Sequence, residues 1–209
     1  IMSNISNFCL TLNPDHEDKI RMMSYIPVGL GDKVFSKNCL SDKIGETISH
    51  KNPFYGEYTF HYWIWKNYLK DIKTDWVGFC QYRKFFIKED NSSELNNFED
   101  LSESVIKNIE PNSNFDCILG MKSSVENYKL SKIIKNHFFE FLKDPTKLIL
   151  KKKRNLKFHF DLFHGKGNLD VAIDLLDDKN RNDFRFFMNN KSYFNPHNMF
   201  ICKVEILKE

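Results

Sequence analysis

Apolar residues fall in short blocks, some continuous and some spaced at helical intervals, with polar turns between them. Residues 7–12 (Asn-Phe-Cys-Leu-Thr-Leu) predict a first strand. Asn13-Pro14-Asp15 marks a turn and a helix start, and residues 15–23 predict a helix with Ile20 and Met23 inward. Residues 25–28 (Tyr-Ile-Pro-Val) are a second extended piece. Pro27 cannot donate to a ladder, which confines that piece to an edge or an irregular strand. Gly29-Leu30-Gly31-Asp32 reads as a loop, with too few glycines for a phosphate cradle. Residues 39–50 are polar, a connection of a length that is often functional inside a compact domain.

The stretch from Asp42 to Phe86 organises the rest. Asn52-Pro53 is a helix-start signal, an acceptor side chain followed by a residue that needs no N–H partner. The helix it opens carries Tyr58, Phe60, Tyr62, Trp63, Ile64, Trp65, Tyr68 and Leu69 all round its circumference. Such a helix is expected to be buried, Trp63 and Trp65 included. Glu57, His61 and Trp65 fall on one line at i, i+4 and i+8. A carboxylate and an imidazole in an apolar helix need partners, which they find in each other or in a site. Residues 76–81 then form a nearly continuous apolar run, the pattern of a central strand covered on both faces. Gly78 inside it predicts close approach by a neighbour. Arg83 and Lys84 emerge at its carboxyl end, where ligands bind in open α/β sheets. Two cations there suit an anionic ligand or a solvated strand end.

Further on, residues 89–97 read as a polar surface loop, and residues 100–109 as an amphipathic helix with Leu101, Val105 and Ile109 inward. Residues 115–120 predict a buried strand, with Asp116 a polar strand start in preference to a site carboxylate. Residues 130–142 predict a helix, ended by Asp144-Pro145. Lys151-Lys152-Lys153-Arg154 is a solvated face or a weak contact with anionic lipid. His159 and His164 alternate with phenylalanines at a spacing that does not suit a helical metal pair. Residues 168–176 predict a helix with Leu169, Ile173 and Leu176 inward, and residues 193–198 a polar turn into a strand at 199–202. Recurrent strand–helix order predicts an α/β fold with a mostly parallel sheet.

Composition narrows the classes. A chain of 209 residues is enough for one domain with a core, and 20 Phe make that core aromatic. A net charge of +3, from 31 basic and 28 acidic residues, is too balanced to argue for nucleic acid. No apolar run approaches the length of a membrane span, and the start lacks the basic-then-apolar pattern of a signal peptide. The cysteines show no metal-type spacing; Cys9, Cys80, Cys117 and Cys202 sit in apolar runs as small buried hydrophobes, which suits a reducing, cytoplasmic setting. Glu209 follows a strand closely with no capping signal, as in a single domain cut short at its C-terminus.

The order of motifs resembles a bacterial capsular and exopolysaccharide-biosynthesis family, domain of unknown function 4422, whose members are usually described as glycosyltransferases. The resemblance rests on Ile26-Pro27-Val28-Gly29, Asp42 with Gly45 and Ile48-Ser49, Lys51-Asn52-Pro53, and Tyr55 with Glu57 and Thr59. It continues through Tyr62-Trp63-Ile64-Trp65-Lys66-Asn67, Gly78 with Tyr82-Arg83, and His197-Asn198-Met199-Phe200-Ile201. Where the family usually has His-Tyr-Arg-Arg, this chain has Gln81-Tyr82-Arg83-Lys84, so no acid–base role carries over to that first position.

The resemblance implies a GT-A-like fold, a Rossmann-like sheet flanked by helices, that moves a sugar from a nucleotide-sugar donor to a surface polysaccharide or glycolipid acceptor. In that reading Arg83 and Lys84 bind the diphosphate, while Asp42, Asn52 and Glu57 line the donor pocket. Tyr82 stacks on base or sugar. His164, His197 and Asn198 approach from the acceptor side, with His197 as general base. Enzymes of this fold commonly hold a divalent metal through Asp-X-Asp. This chain has no such motif; its nearest acidic triplet is Asp15-His16-Glu17, and cations stand at the strand end instead. The resemblance thus leaves a divalent metal open without the motif that would hold it and leaves peripheral contact at the inner membrane surface open; no nucleic-acid partner is expected. The alternative is a non-catalytic carbohydrate- or nucleotide-binding module, which the Gln81 departure fits.

Overall fold

The computed structural model describes residues 3–88, 95–110, 114–126, 139, 142–143, 145–146 and 154–208. The expected helix over 130–142 and the cationic run at 151–153 lie outside those residues, apart from scattered positions. The chain divides into two compact units, Ile1–Gly120 with His197–Glu209, and Met121–Pro196.

In the first unit the sheet grows from β1 (Ser3–Thr11). β2 (Ile26–Gly29), β3 (Leu40–Ser41) and β4 (Trp76–Gln81) form its parallel part. β5 (Asn108–Ile109) pairs antiparallel with the first residues of β1. β6 (Cys117–Leu119) lies beside a later strand, Phe200–Lys203, and that strand pairs antiparallel with β4. Among the described residues the order is β3-β2-β1-β4, then Phe200–Lys203, then β6. This is the expected α/β architecture, a mostly parallel central sheet flanked by helices.

Alternation along β1 and β4 divides the core between the two faces of the sheet. Phe8, Leu10, Val77 and Phe79 pack on one side with Phe60 and Trp63. Cys9, Trp76 and Cys80 pack on the other with Ile20, Met23 and Val105. α1 (Glu17–Met22) therefore turns Ile20 inward, as its spacing predicts, and Met23 follows at its end. The Phe8 ring lies 5.6 Å from Phe60 and 5.7 Å from Phe79, centroid to centroid. Each such ring, fully buried, contributes about 1.5–3 kcal/mol of transfer free energy.

β4 is central, as its unbroken apolar run predicts, and Gly78 within it is pressed by a neighbour. A Cβ there would meet the Asn7 side-chain oxygen head-on and lie 3.1 Å from Ile201 Cγ1. Asn7 has little room to retreat, because its Nδ2 donates to the Ile106 carbonyl at 3.0 Å. Gly78→Ala is expected to cost about 1–3 kcal/mol, the range for an overpacked core. Gly120→Ala, where nothing lies within 4 Å, is expected to be near neutral. Urea denaturation of the two variants checks this pair.

Several local expectations are corrected. β2 is internal, between β1 and the two-residue β3. Its Pro27 carbonyl accepts from Cys39 Sγ at 3.4 Å, just before β3 pairing begins at Val28. The long helix after Asn52 is instead a series of short turns. A 3-10 turn (Ser49–Lys51) runs into α2 (Asn52–Tyr55), and Gly56 then breaks the chain at φ 52°. α3 (Tyr58–Trp63) follows and widens into a π turn over Ile64–Tyr68. Asn52 makes no N-cap; its Nδ2 donates to Gly56 O (2.9 Å) and Thr59 Oγ1 (3.2 Å), bracing the break. Trp63 and Trp65 stand two positions apart, on opposite sides of the helix: Trp65 is 56% exposed while Trp63 is 8% exposed.

α4 is Phe98–Ser104, with Asn97 Oδ1 accepting from Asp100 N at 2.8 Å. The helix therefore starts and stops earlier than the apolar spacing suggests. Val105 and Ile109 are still buried, but on extended backbone leading into β5. β6 is a partly exposed edge strand, so Cys117 is exposed rather than a core thiol. Asp116 pairs with Lys203 at 2.6 Å, in keeping with a polar strand start.

The second unit holds α5 (Leu156–His164), α6 (Asn168–Asp174) and α7 (Asp178–Asn190) around Leu156, Leu169, Ile173 and Met188. β7 (Ser123–Ser124) pairs antiparallel with β8 (Tyr193–Phe194). The last strand of the first unit, β9, is Phe200–Lys203. Among the described residues no helix is long and apolar enough to cross a membrane.

Candidate functional site

β2 and β4 flank β1 on opposite sides and run parallel to it, so the segments leaving their carboxyl ends diverge. A crevice at such a point is where open α/β sheets bind ligands. Here it is a cleft of about 780 Å³. Thr11, the last residue of β1, lines it with Asn13 and His16 beyond, and Gln81, the last of β4, with Tyr82 and Arg83 beyond. Lys33 enters from the segment after β2. Asn52, Pro53, Gly56 and Glu57 form a further wall.

The side chains are held by contacts across these segments. The His16 ring stacks on Tyr82 with centroids 3.8 Å apart and planes 18° apart. Its Nδ1 shares a 2.7 Å hydrogen bond with Thr11 Oγ1. Burial holds the His16 pKa below the usual imidazole value; Lys19, Arg83 and Lys33 act the same way, and Asp15 opposes them. Glu57 is the one carboxylate among the described residues lining the cleft. Its Oε1 accepts from Gln81 Nε2 at 2.6 Å and from Asn198 Nδ2 at 2.9 Å. Gln81, standing where a His was expected, is thus an amide donor that orients a carboxylate.

The structure brings Asn52, Glu57, Tyr82 and Arg83 together at the cleft, with Asn198 one hydrogen bond behind. Lys84 and His197 pair beside it, Nζ to Nδ1 at 3.1 Å. An ammonium can only donate, so His197 Nδ1 is the acceptor and the ring proton sits on Nε2. Asp42 is not in the cleft wall; it is 1% exposed, and both carboxylate oxygens lack a hydrogen-bond partner among the described residues. His164 lies in the second unit at the end of α5, its ring against Phe160. Thr11, Asn13, His16 and Lys33 join the cleft through the fold alone. The available signal was position: the Asp15-His16-Glu17 triplet follows the first strand directly.

His61 does not pair with Glu57 by a hydrogen bond. Its ring packs edge-on to Phe79 at 4.8 Å, and its Nε2 is buried without a partner among the described residues. Burial lowers its pKa from 6.5 to about 4, against the pull of Glu57. The unfolded chain therefore takes up this proton first as pH falls. The stabilising contribution is full above 6.5 and is lost on the way down to about 4. From about pH 7 to about pH 5 the loss is on the order of 2 kcal/mol, at about 1.4 kcal/mol per unit. Urea melts across that window check this, with His61→Phe expected to flatten the slope.

The cleft is lined by the cations Arg83 and Lys33 and, among the described residues, by one carboxylate, Glu57, whose Oε1 accepts from two amides. Among the described residues no three His, Cys, Asp or Glu side chains come together as a ligand set.

A family model described as Domain of unknown function (DUF4422) matches residues 14–209. No curated protein matches the chain. A solved apo structure of the WbbM bifunctional glycosyltransferase is similar at 19% identity and a TM-score of 0.42. That match covers 98% of this chain and 35% of the other, so the chain spans about a third of that protein's length.

Proposed function

The chain belongs to the DUF4422 family, and we propose that it is a glycosyltransferase, moving a sugar from a nucleotide-sugar donor to a surface polysaccharide or glycolipid acceptor. One observation carries this reading: a cleft at the carboxyl ends of β1 and β4 places the cations Arg83 and Lys33 with an oriented carboxylate, Glu57.

As the donor's glycosidic bond breaks, negative charge grows on the leaving diphosphate. Fixed cations that face that charge stabilise it more in the transition state than in the ground state. Arg83 offers a planar fork to phosphate, and Lys33 adds a point charge. Glu57, with one oxygen fixed by Gln81 and Asn198, keeps the other for donor hydroxyls, while Asn52 and Tyr82 complete the wall. Lys84 has two anionic or basic partners to choose between. Drawn to the diphosphate, it would release His197 Nδ1, which then accepts the proton of the acceptor hydroxyl. Donor binding and base activation are coupled in this scheme. The fold is GT-A-like in this reading. The enzyme works in the cytoplasm at the inner membrane face, in capsule or exopolysaccharide synthesis, without a divalent metal and without nucleic acid.

Calorimetry with a panel of nucleoside diphosphates and nucleotide sugars tests the proposal, together with an assay for diphosphate release. Binding with slow donor hydrolysis is the expected result. Failure of every nucleotide to bind sinks the reading. Binding with no release under any acceptor condition identifies a non-catalytic module instead.

A further inference from the structure

The outer face of α3 is aromatic, although a helix packed on a sheet ordinarily presents polar residues to water. Thr59, Phe60 and Trp63 point into the core, and Tyr58 and Trp65 lie outward with Tyr62 beside them. α2, immediately before, adds Phe54 at 88% exposure and Tyr55 at 51%. The loop that receives the Trp63 indole N–H on its Ile44 carbonyl exposes the Ile44 side chain as well. Lysines lie over these rings: Lys66 Nζ is 3.7 Å from the Trp65 ring centroid, and Lys51 Nζ is 5.9 Å from that of Tyr55.

Apolar surface of this kind on a monomer marks a contact. We propose that this aromatic and cationic face of α2 and α3 seats the protein on an anionic lipid surface. Trp and Tyr are the side chains that settle at the headgroup boundary, with an apolar body and a polar edge. Phe54 and Ile44 carry no polar atom in their side chains and suit the acyl region beneath, which a sugar chain would not reward. The charge is complementary: Lys43, Lys51 and Lys66 are exposed here, against Glu46, which pairs with Lys66 at 3.7 Å and accepts from the Tyr62 hydroxyl at 2.7 Å, and Glu57 beside Tyr58, which accepts from Gln81 and Asn198. Lysines over the rings argue against a protein partner, whose interface cores are depleted of Lys. The assignment stands apart from the reading of the cleft and does not depend on it.

The tryptophans make the test direct. Trp63 and Trp76 are buried, so among the three Trp in the chain Trp65 alone is in reach of lipid. The full chain is mixed with vesicles of phosphatidylcholine alone, or of equal parts phosphatidylcholine and phosphatidylglycerol. Sedimentation with the anionic vesicles is expected, with a blue shift of Trp emission and quenching by lipids brominated on the acyl chains. Lys51→Ala and Lys66→Ala should each weaken partitioning about fivefold. The double variant Phe54→Ser/Tyr58→Ser, folded by circular dichroism, should lose the quenching while Trp65 remains as reporter. Three results overturn the proposal: unchanged Trp65 emission with protein left in the supernatant, undiminished sedimentation of the Phe54/Tyr58 variant, or a dimer that shields Trp65 and ignores vesicles.

Discussion

Arg83→Ala is expected to abolish nucleoside-diphosphate binding while leaving the fold intact. Arg83 stands beyond β4 in the cleft wall, outside both core clusters of the sheet, so its removal takes little from packing. A charge-assisted bond to phosphate contributes about 1.5–3 kcal/mol, so affinity should fall at least about tenfold. Lys33→Ala should act in the same direction but more mildly, since an ammonium lacks the bidentate fork. Lys84→Ala carries a distinguishing signature. If its ammonium moves between His197 and the diphosphate, its loss should alter the pH profile of turnover as well as affinity. A chelator should leave binding unchanged. Calorimetry at matched melting temperature reads all of these; undiminished binding by the Arg83 variant, or strict dependence on magnesium or manganese, would falsify the assignment.

The largest expected effect on stability is at Trp63. Its ring stacks on Phe60 at 5.6 Å and on Tyr68 at 5.9 Å, and its Nε1 donates to the Ile44 carbonyl at 2.5 Å. Trp63→Ala removes a ring from the core and leaves that carbonyl without its donor. The cost should be about 3–5 kcal/mol, as for other large core truncations. Trp65→Ala, two positions away, should change stability by no more than about 0.5 kcal/mol, because that ring faces water. Denaturant titration of the two variants gives a sharp contrast, and equal losses at both positions would show that Trp65 is packed as deeply as Trp63.

That pair also marks where sequence reading ends. An aromatic at every helical angle says that a segment is apolar; it does not say which side meets the sheet. Residues two apart lie about 200° round a helix, so Trp63 and Trp65 face opposite ways; which of them meets the sheet is decided by the packing of α3 on Phe8 and Phe79. The same holds for residues 100–109, where an inward spacing shared by a helix and the strand after it concealed the end of the helix at Ser104.

What the sequence determined by itself was local and periodic. The unbroken run of Trp76–Gln81 can only be satisfied with both faces covered, so β4 had to be central. Gly78 had to be a close approach, and Arg83 had to stand at a strand end, because each follows from position along one strand. Only the tertiary structure decided the partnerships of the site. Asn198 reaches Glu57 across 141 residues and His197 meets Lys84 across 113, because β9 runs back antiparallel beside β4. His16 meets Tyr82 because β1 and β4 are parallel neighbours that end together. No periodicity encodes such contacts; they come from strand order, which is fixed by the burial of both faces of the sheet at once rather than by any one segment.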